Sequence, residues 1–238
     1  MSNQMSNAPM TPAGPTSFFQ TWVPALTKPN EQTYATIAGS PNAKASTAYL
    51  WVFLSSIVAS LISLIGEGAF IREQIARSGV GGEQLGNGVG GVLITLLCGA
   101  PIAAVIGTAF FAIGVAIIQW IAKMFGGKGT NDQMAYAYAA IGVPYSLISS
   151  IFILLSAIPF VGLCFRVILG LAGLYILVLQ IMAIKGVNQF GWGPAIGSLF
   201  IPGLVVGLLC CCLVFVLLTV MGPVIGNVFS SINQSLIP

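Results

Sequence analysis

Five long apolar stretches, each bounded by Gly, Pro or polar residues, set the pattern of this chain; they lie at about 49–65, 89–122, 134–158, 163–184 and 195–221. A bilayer's hydrocarbon core of about 30 Å takes about 20 helical residues to cross, so each stretch reads as a transmembrane helix. Trp51 sits at the start of the first as an interfacial anchor. The second stretch would measure about 51 Å as one helix, too long for one straight crossing and too short for two with a turn. Pro101, preceded by Gly99, places a kink there, which leaves 102–121 to cross and 89–99 as a protruding or interfacial extension. The third and fifth stretches carry Pro144 and Pro202.

The flanks follow a different pattern. Residues 1–16 are rich in Ser, Asn, Pro and Met without hydrophobic periodicity, and read as a disordered polar tail. In 17–47, Phe18, Phe19, Trp22, Val23 and Leu26 recur at i, i+1, i+4, i+5, i+8, which gathers them on one stripe of a short helix. That stripe suits a helix lying in the membrane interface with Trp22 at headgroup level, or equally one docked on the bundle. Pro24 implies a kink or an early stop, and Tyr34 and Ile37 continue the contact before the Gly39-Ser40-Pro41 turn. After Gly222-Pro223, the residues Val224, Ile225, Val228, Phe229 and Ile232 repeat the stripe, so 223–238 reads as a C-terminal interfacial helix. The fold class that results is an all-α polytopic membrane protein, with five transmembrane helices in 48–222 and an interfacial amphipathic helix at either end.

Composition sharpens this picture mainly by exclusion. With 57% apolar and 5% charged residues the chain suits neither a soluble domain nor a disordered one. The net charge of +3 is scattered, so no nucleic-acid footprint is expected. His is absent, which removes His-ligated metals, haem and any catalytic pair built on imidazole. Cys98, Cys164, Cys210, Cys211 and Cys212 lie in apolar stretches. Three consecutive helical cysteines point about 100° apart and cannot converge on one ion, so the triplet reads as small apolar filler. No cofactor and no enzymatic activity are expected.

No basic n-region precedes an apolar h-region, so no signal peptide is expected. Lys28, Lys44, Lys123, Lys128 and Lys185 fall on one side of a five-span topology, against Arg72, Arg77 and Arg166 on the other. The positive-inside rule then puts the N-terminus in the cytoplasm and the C-terminus outside the plasma membrane. Small residues at four-residue spacing, Gly99, Ala103, Gly107 and Gly203, Gly207, read as helix-packing positions within the bundle, with a homo-oligomer face as the alternative. Gln119 and Gln180 read as interhelical hydrogen-bond partners.

The most informative segment is GGKGTNDQMAYAYAAIGVPY, residues 126–145. Thr130 with Gln133 three positions on forms a capping box that starts the third span. A phosphate-binding P-loop is excluded, because Ala122 stands where its first Gly is required and Gly129 follows Lys128. Lys123 and Lys128 beside a helix N-terminus could still attract a lipid phosphate.

This turn, then Gln133, then an Ala/Tyr-rich helix start ending in Pro144, resembles the Yip-domain family of five-span membrane proteins, named for interaction with Ypt/Rab GTPases. The upstream FFQTWVPALTKPNEQTYATI looks like the stretch before the first span in prokaryotic members, and the resemblance covers about 17–222. For eukaryotic members it implies a role in vesicle trafficking. The short N-terminal tail and the absence of a YLYGT-like signature point to the prokaryotic branch. The function expected is that of a membrane adaptor, scaffold or accessory subunit, with a small transporter or channel around Pro-broken helices as the alternative. Its partners are the lipid bilayer and a membrane or cytoplasmic protein. The surface expected to meet them comprises Phe18, Phe19, Trp22, Lys123, Lys128, Asn131, Asp132 and Gln133.

Overall fold

The computed structural model describes residues 18–78, 95–156 and 161–235, with side chains for 18–62, 97–156, 162–219 and 221–222. The expected tail at 1–16 and the expected extension at 89–94 lie outside the described residues. Every element is helical: α1 (Phe18–Thr27), α2 (Glu31–Ala38), α3 (Ala45–Ser78), a π-helical turn (Thr95–Gly99), α4 (Ala100–Met124), α5 (Asn131–Leu155), α6 (Val161–Asn188) and α7 (Trp192–Ser235). Five of them contain segments long and apolar enough to cross a membrane, Ala45–Ile62, Leu97–Met124, Asn131–Leu155, Gly162–Asn188 and Trp192–Thr219.

The short connections 39–44, 125–130 and 189–191 all lie at one end, where α3, α5 and α7 begin and α4 and α6 finish. This is also where α1 and α2 pack, so it is called the N-terminal end of the bundle.

Local chemistry explains the boundaries. The side chain of Asn30 accepts from the Gln32 amide and opens α2, and Gly39 closes it. Thr130 and Gln133 form the expected capping box at α5: the Gln133 N–H donates to Thr130 Oγ1 at 3.3 Å and the Thr130 N–H to Gln133 Oε1 at 3.0 Å. At Pro101 regular α-helix gives way to the π-helical turn, a common cause of helix bending, in the place where the kink is expected.

Three features differ from the sequence reading. Residues 66–88, between the first two apolar stretches, read from sequence as a loop, yet 66–78 continue α3 as helix, because Glu, Arg, Gln and Ala there are good helix formers with no Pro among them. The helix expected at 223–238 continues α7 through Ser235 without a break at Gly222-Pro223. A helix that long measures about 66 Å and overruns the hydrocarbon core, and a Pro within it costs one backbone bond that a membrane helix tolerates. Gly107, Gly203 and Gly207, expected to pack between helices, have nothing within 4 Å of where a Cβ would stand.

The core sits at the N-terminal end. Every residue of α5 from Met134 through Ile141 is buried, so the helix is enclosed on all sides there. The alternating Ala135, Ala137, Ala139 and Ala140 let neighbours approach closely, and Tyr136 and Tyr138 fill the gaps between. α3 and α6 are its main neighbours, with α1, α2 and α4 closing the ring. α7 joins only by its first turns, where Ala195 and Ser198 are buried; from Gly203 to Thr219 each of its residues is exposed.

Candidate functional site

At the N-terminal end, the loop between α4 and α5 is built around glycine. Gly126 takes a left-handed φ of +87°, closed to most other residues without strain. It ends α4 in a Schellman arrangement, with the Gly127 N–H donating to the Ala122 carbonyl at 2.9 Å and the Gly126 N–H to the Lys123 carbonyl at 2.9 Å. Gly127 and Gly129 are required for a different reason. A Cβ on Gly127 would lie 2.5 Å from Asn188 Oδ1, and one on Gly129 would lie 2.6 Å from Val187 Cγ1.

Asn188, the last residue of α6, is the hub of this loop. Its Oδ1 accepts from the Gly129 N–H at 3.2 Å and from Gln119 Nε2 at 2.9 Å, and its Nδ2 donates to the Ile184 carbonyl at 3.1 Å. Gln119 Nε2 also donates to the Gly129 carbonyl at 2.6 Å, and the backbone N–H of Lys128 donates to the Asn188 carbonyl at 3.2 Å. Gln119 and Asn188 are both buried, so the two carboxamides satisfy one another where water cannot reach. Gln119 is thus an interhelical partner as expected from sequence; Gln180 lies half-buried on α6. The result is a fixed turn whose one exposed charged side chain is Lys128.

α1 and α2 form a hairpin strapped across the same end. The Tyr34 hydroxyl donates to the Ala25 carbonyl at 2.6 Å, and the Tyr175 hydroxyl of α6 donates to the Leu26 carbonyl at 2.6 Å. Burial, and then the neighbouring Tyr175, push the Tyr34 phenol above its ordinary range, so it stays a donor. Glu31 pairs with Lys185, whose Nζ also lies 4.8 Å over the Trp192 ring. Gly186 lets α2 lie directly on α6: a Cβ there would fall 2.3 Å from the Glu31 carbonyl oxygen. Glu31, Gln32, Ala35, Lys185, Gly186, Gln189 and Phe190 line a groove of about 450 Å³ between the two helices.

The expected site residues fall into two groups. Phe18 and Trp22 meet at a tilt and each packs edge-to-face on Trp51 of α3, at centroid distances of 5.9, 5.5 and 5.6 Å, and Trp51 in turn meets Tyr136 of α5 at 5.0 Å. Phe19 touches Trp22 at 6.3 Å and is 72% exposed. α1 therefore docks on the bundle through Thr21 and Ala25 while keeping an outward apolar face. The polar group comprises exposed Lys123, Lys128 and Asp132, half-buried Asn131, and Gln133 engaged in the capping box. No hydrogen bond, ion pair or ring contact joins the two groups among the described residues. They are connected through α5, where Tyr136 stands one turn beyond Asp132 and Gln133.

Sequence reasoning missed Asn188 and the pairing of Lys185 with Glu31, whereas Tyr34, expected to continue the contact of α1, is buried and does so. A polar residue ending an apolar helix was the available signal for Asn188, but its partners lie 59 and 69 positions away. Of the alternative site around broken helices, α5 and α7 run unbroken through Pro144 and Pro202. The five cysteines are free and exposed on the helix exteriors. Among the described residues no three His, Cys, Asp or Glu side chains gather as metal ligands.

Comparison with curated proteins and with solved structures gives no match. The family model described as the Yip1 domain matches residues 25–215, which takes in the end of α1, all of α2, the glycine turn, four of the spanning helices whole and most of the fifth. The chain belongs to the Yip1-domain family and is a multi-pass integral membrane protein.

Proposed function

We propose that this protein is a non-enzymatic membrane adaptor or scaffold, or an accessory subunit of a membrane complex, and that its recognition surface is the N-terminal end of the bundle. The observation that carries this reading is the clamped glycine turn: buried Gln119 and Asn188 hold a surface loop in one conformation and leave Lys128 and Asp132 exposed beside it. A rigid scaffold under an exposed polar loop is how proteins commonly present a binding surface. The spanning helices carry little polar lining, which supports an adaptor over a transporter.

In the same reading, this end faces the cytoplasm of a plasma-membrane protein. Lys28, Lys44, Lys123, Lys128 and Lys185 all belong to segments at this end, as the positive-inside rule requires. Asn7→Cys and Gln234→Cys should label from opposite faces of the membrane; labelling from the same face contradicts the topology.

The functional test is the double variant Lys128→Ala with Asp132→Ala. Both side chains are exposed, so the bundle should fold normally while co-purification of a protein partner or binding of anionic lipid falls. Unchanged co-purification together with unchanged lipid binding removes this surface from the account.

A further inference from the structure

The aromatic face of α1 has an occupant of its own. Its exposed apolar residues are Phe18, Phe19 and Val23, at 55, 72 and 53% exposure, bordered by exposed Gln20 and Thr27, an outward face that the bundle does not cover.

Three observations identify what covers it. The first is depth. α1 contacts Trp51, the seventh residue of α3, and Tyr136, the sixth of α5, so it lies against the flanks of those helices about 8 to 9 Å in from their first residues. Interfacial helices bury their apolar face about 5–10 Å into the headgroup and acyl boundary. The second is continuity. Leu50, Leu54, Val58 and Leu61 form an exposed stripe along α3, a helix that spans the membrane, and Phe18 packs edge-to-face at 5.5 Å on Trp51 beside the start of that stripe. The outward face of α1 thus extends the lipid-facing surface of α3. The third is charge. α1 contains no charged residue, exposed Lys28 lies in the turn of the hairpin and exposed Lys44 beyond it, and the carboxylate nearest to α1 along the chain, Glu31, is held by Lys185. That arrangement suits the phosphates of an anionic leaflet.

We infer that α1 is a half-inserted helix whose outer face, Phe18, Phe19 and Val23, is buried in the phospholipid leaflet at the N-terminal end, with Lys28 and Lys44 at headgroup level. The surface expected from sequence as a single contact region is thereby divided: the aromatics face lipid, and the polar turn is left for a protein. This inference stands independently of the adaptor reading.

The test is photocrosslinking of the full chain in native membranes, with p-benzoylphenylalanine replacing one residue at a time. Phe19 and Val23 are two independent probes of the face, Leu50 is a lipid-facing reference, and Asp132 represents the polar turn. Mass spectrometry should find phospholipid adducts at 19 and 23 at about the yield of position 50, and at least about tenfold above position 132. A protein adduct at 19 or 23 would overturn the inference by placing a polypeptide on this face, and absence of any adduct there, with position 50 reacting, would place the face in water. Protein adducts at position 132 report separately on the adaptor reading, so the two fail independently.

Discussion

α5 and α7 are both apolar, both long enough to span a bilayer and both interrupted by a proline, yet their surroundings are opposite. Eight consecutive residues of α5, Met134 to Ile141, are buried, whereas Gly203 to Thr219 of α7 are exposed throughout. The difference lies in side-chain size. Alternating alanines draw five neighbouring elements onto α5, while the Leu, Val and Phe of α7 hold other helices away and suit lipid on every face. Apolar content therefore says that a helix enters the membrane, and the distribution of small residues says which helix the others pack around. Gly203 and Gly207 mark the limit of this rule, since small residues at four-residue spacing lie open when the helix diverges from its bundle.

The contrast can be broken most severely at the hub of the N-terminal end. Asn188→Ala leaves the Gly129 N–H and Gln119 Oε1 buried without their partner, at about 1–3 kcal/mol for each unsatisfied group. A loss of about 3 kcal/mol is expected from reversible unfolding in mild detergent, and a loss below 1 kcal/mol would show that water readily enters the loop.

Gly186→Ala acts on the strap alone. The new Cβ meets the backbone oxygen of Glu31, so α2 must lift from α6. A cost of about 1–3 kcal/mol is expected, with faster tryptic cleavage after Lys44. Unchanged cleavage would mean that the hairpin is not held by this close approach.

Gln189 offers a smaller test of opposite sign. It follows α6 at φ 55°, a left-handed conformation that favours glycine, with its N–H donating to the Lys185 carbonyl at 2.8 Å. Gln189→Gly should stabilise the protein by about 0.5–1 kcal/mol, seen as a raised melting temperature. No change or a decrease would indicate that the Gln side chain contributes more than the strain it carries.

A pH dependence is of similar size. The buried Tyr34 phenol is held above its ordinary value of 10.0, so the folded state keeps a proton that the unfolded chain releases. Its contribution is full below pH 10 and declines as pH rises above it. Tyr34→Phe should flatten that decline while lowering stability at neutral pH by about 1 kcal/mol through the lost bond to Ala25.

What the sequence makes legible here is local. Hydrophobic run length locates the five spanning helices, Thr130 with Gln133 gives the cap of α5, and Pro101 marks the place where α-helix gives way to a π-helical turn. Each rests on residues within a few positions of one another. The clamp at Asn188, the bond from Tyr175 to the Leu26 carbonyl and the pairing of Glu31 with Lys185 join residues far apart in the chain, and no periodicity announces them. The Gly-Gly-Lys-Gly turn lies between the two cases. Its composition announces a turn, but the reason for Gly127 and Gly129 appears only when Asn188 and Val187 are seen against them.

The N-terminal end of the bundle is a tightly packed unit, and α7 stands free of it beyond its first turns. Paired unfolding of Ala139→Leu and Leu209→Ala tests this most directly, because Ala139 is 0% and Leu209 61% exposed. A loss of about 1–3 kcal/mol is expected for Ala139→Leu by overpacking, and a change within about 0.5 kcal/mol for Leu209→Ala. Equal losses at the two positions, or a larger loss at Leu209, would contradict it.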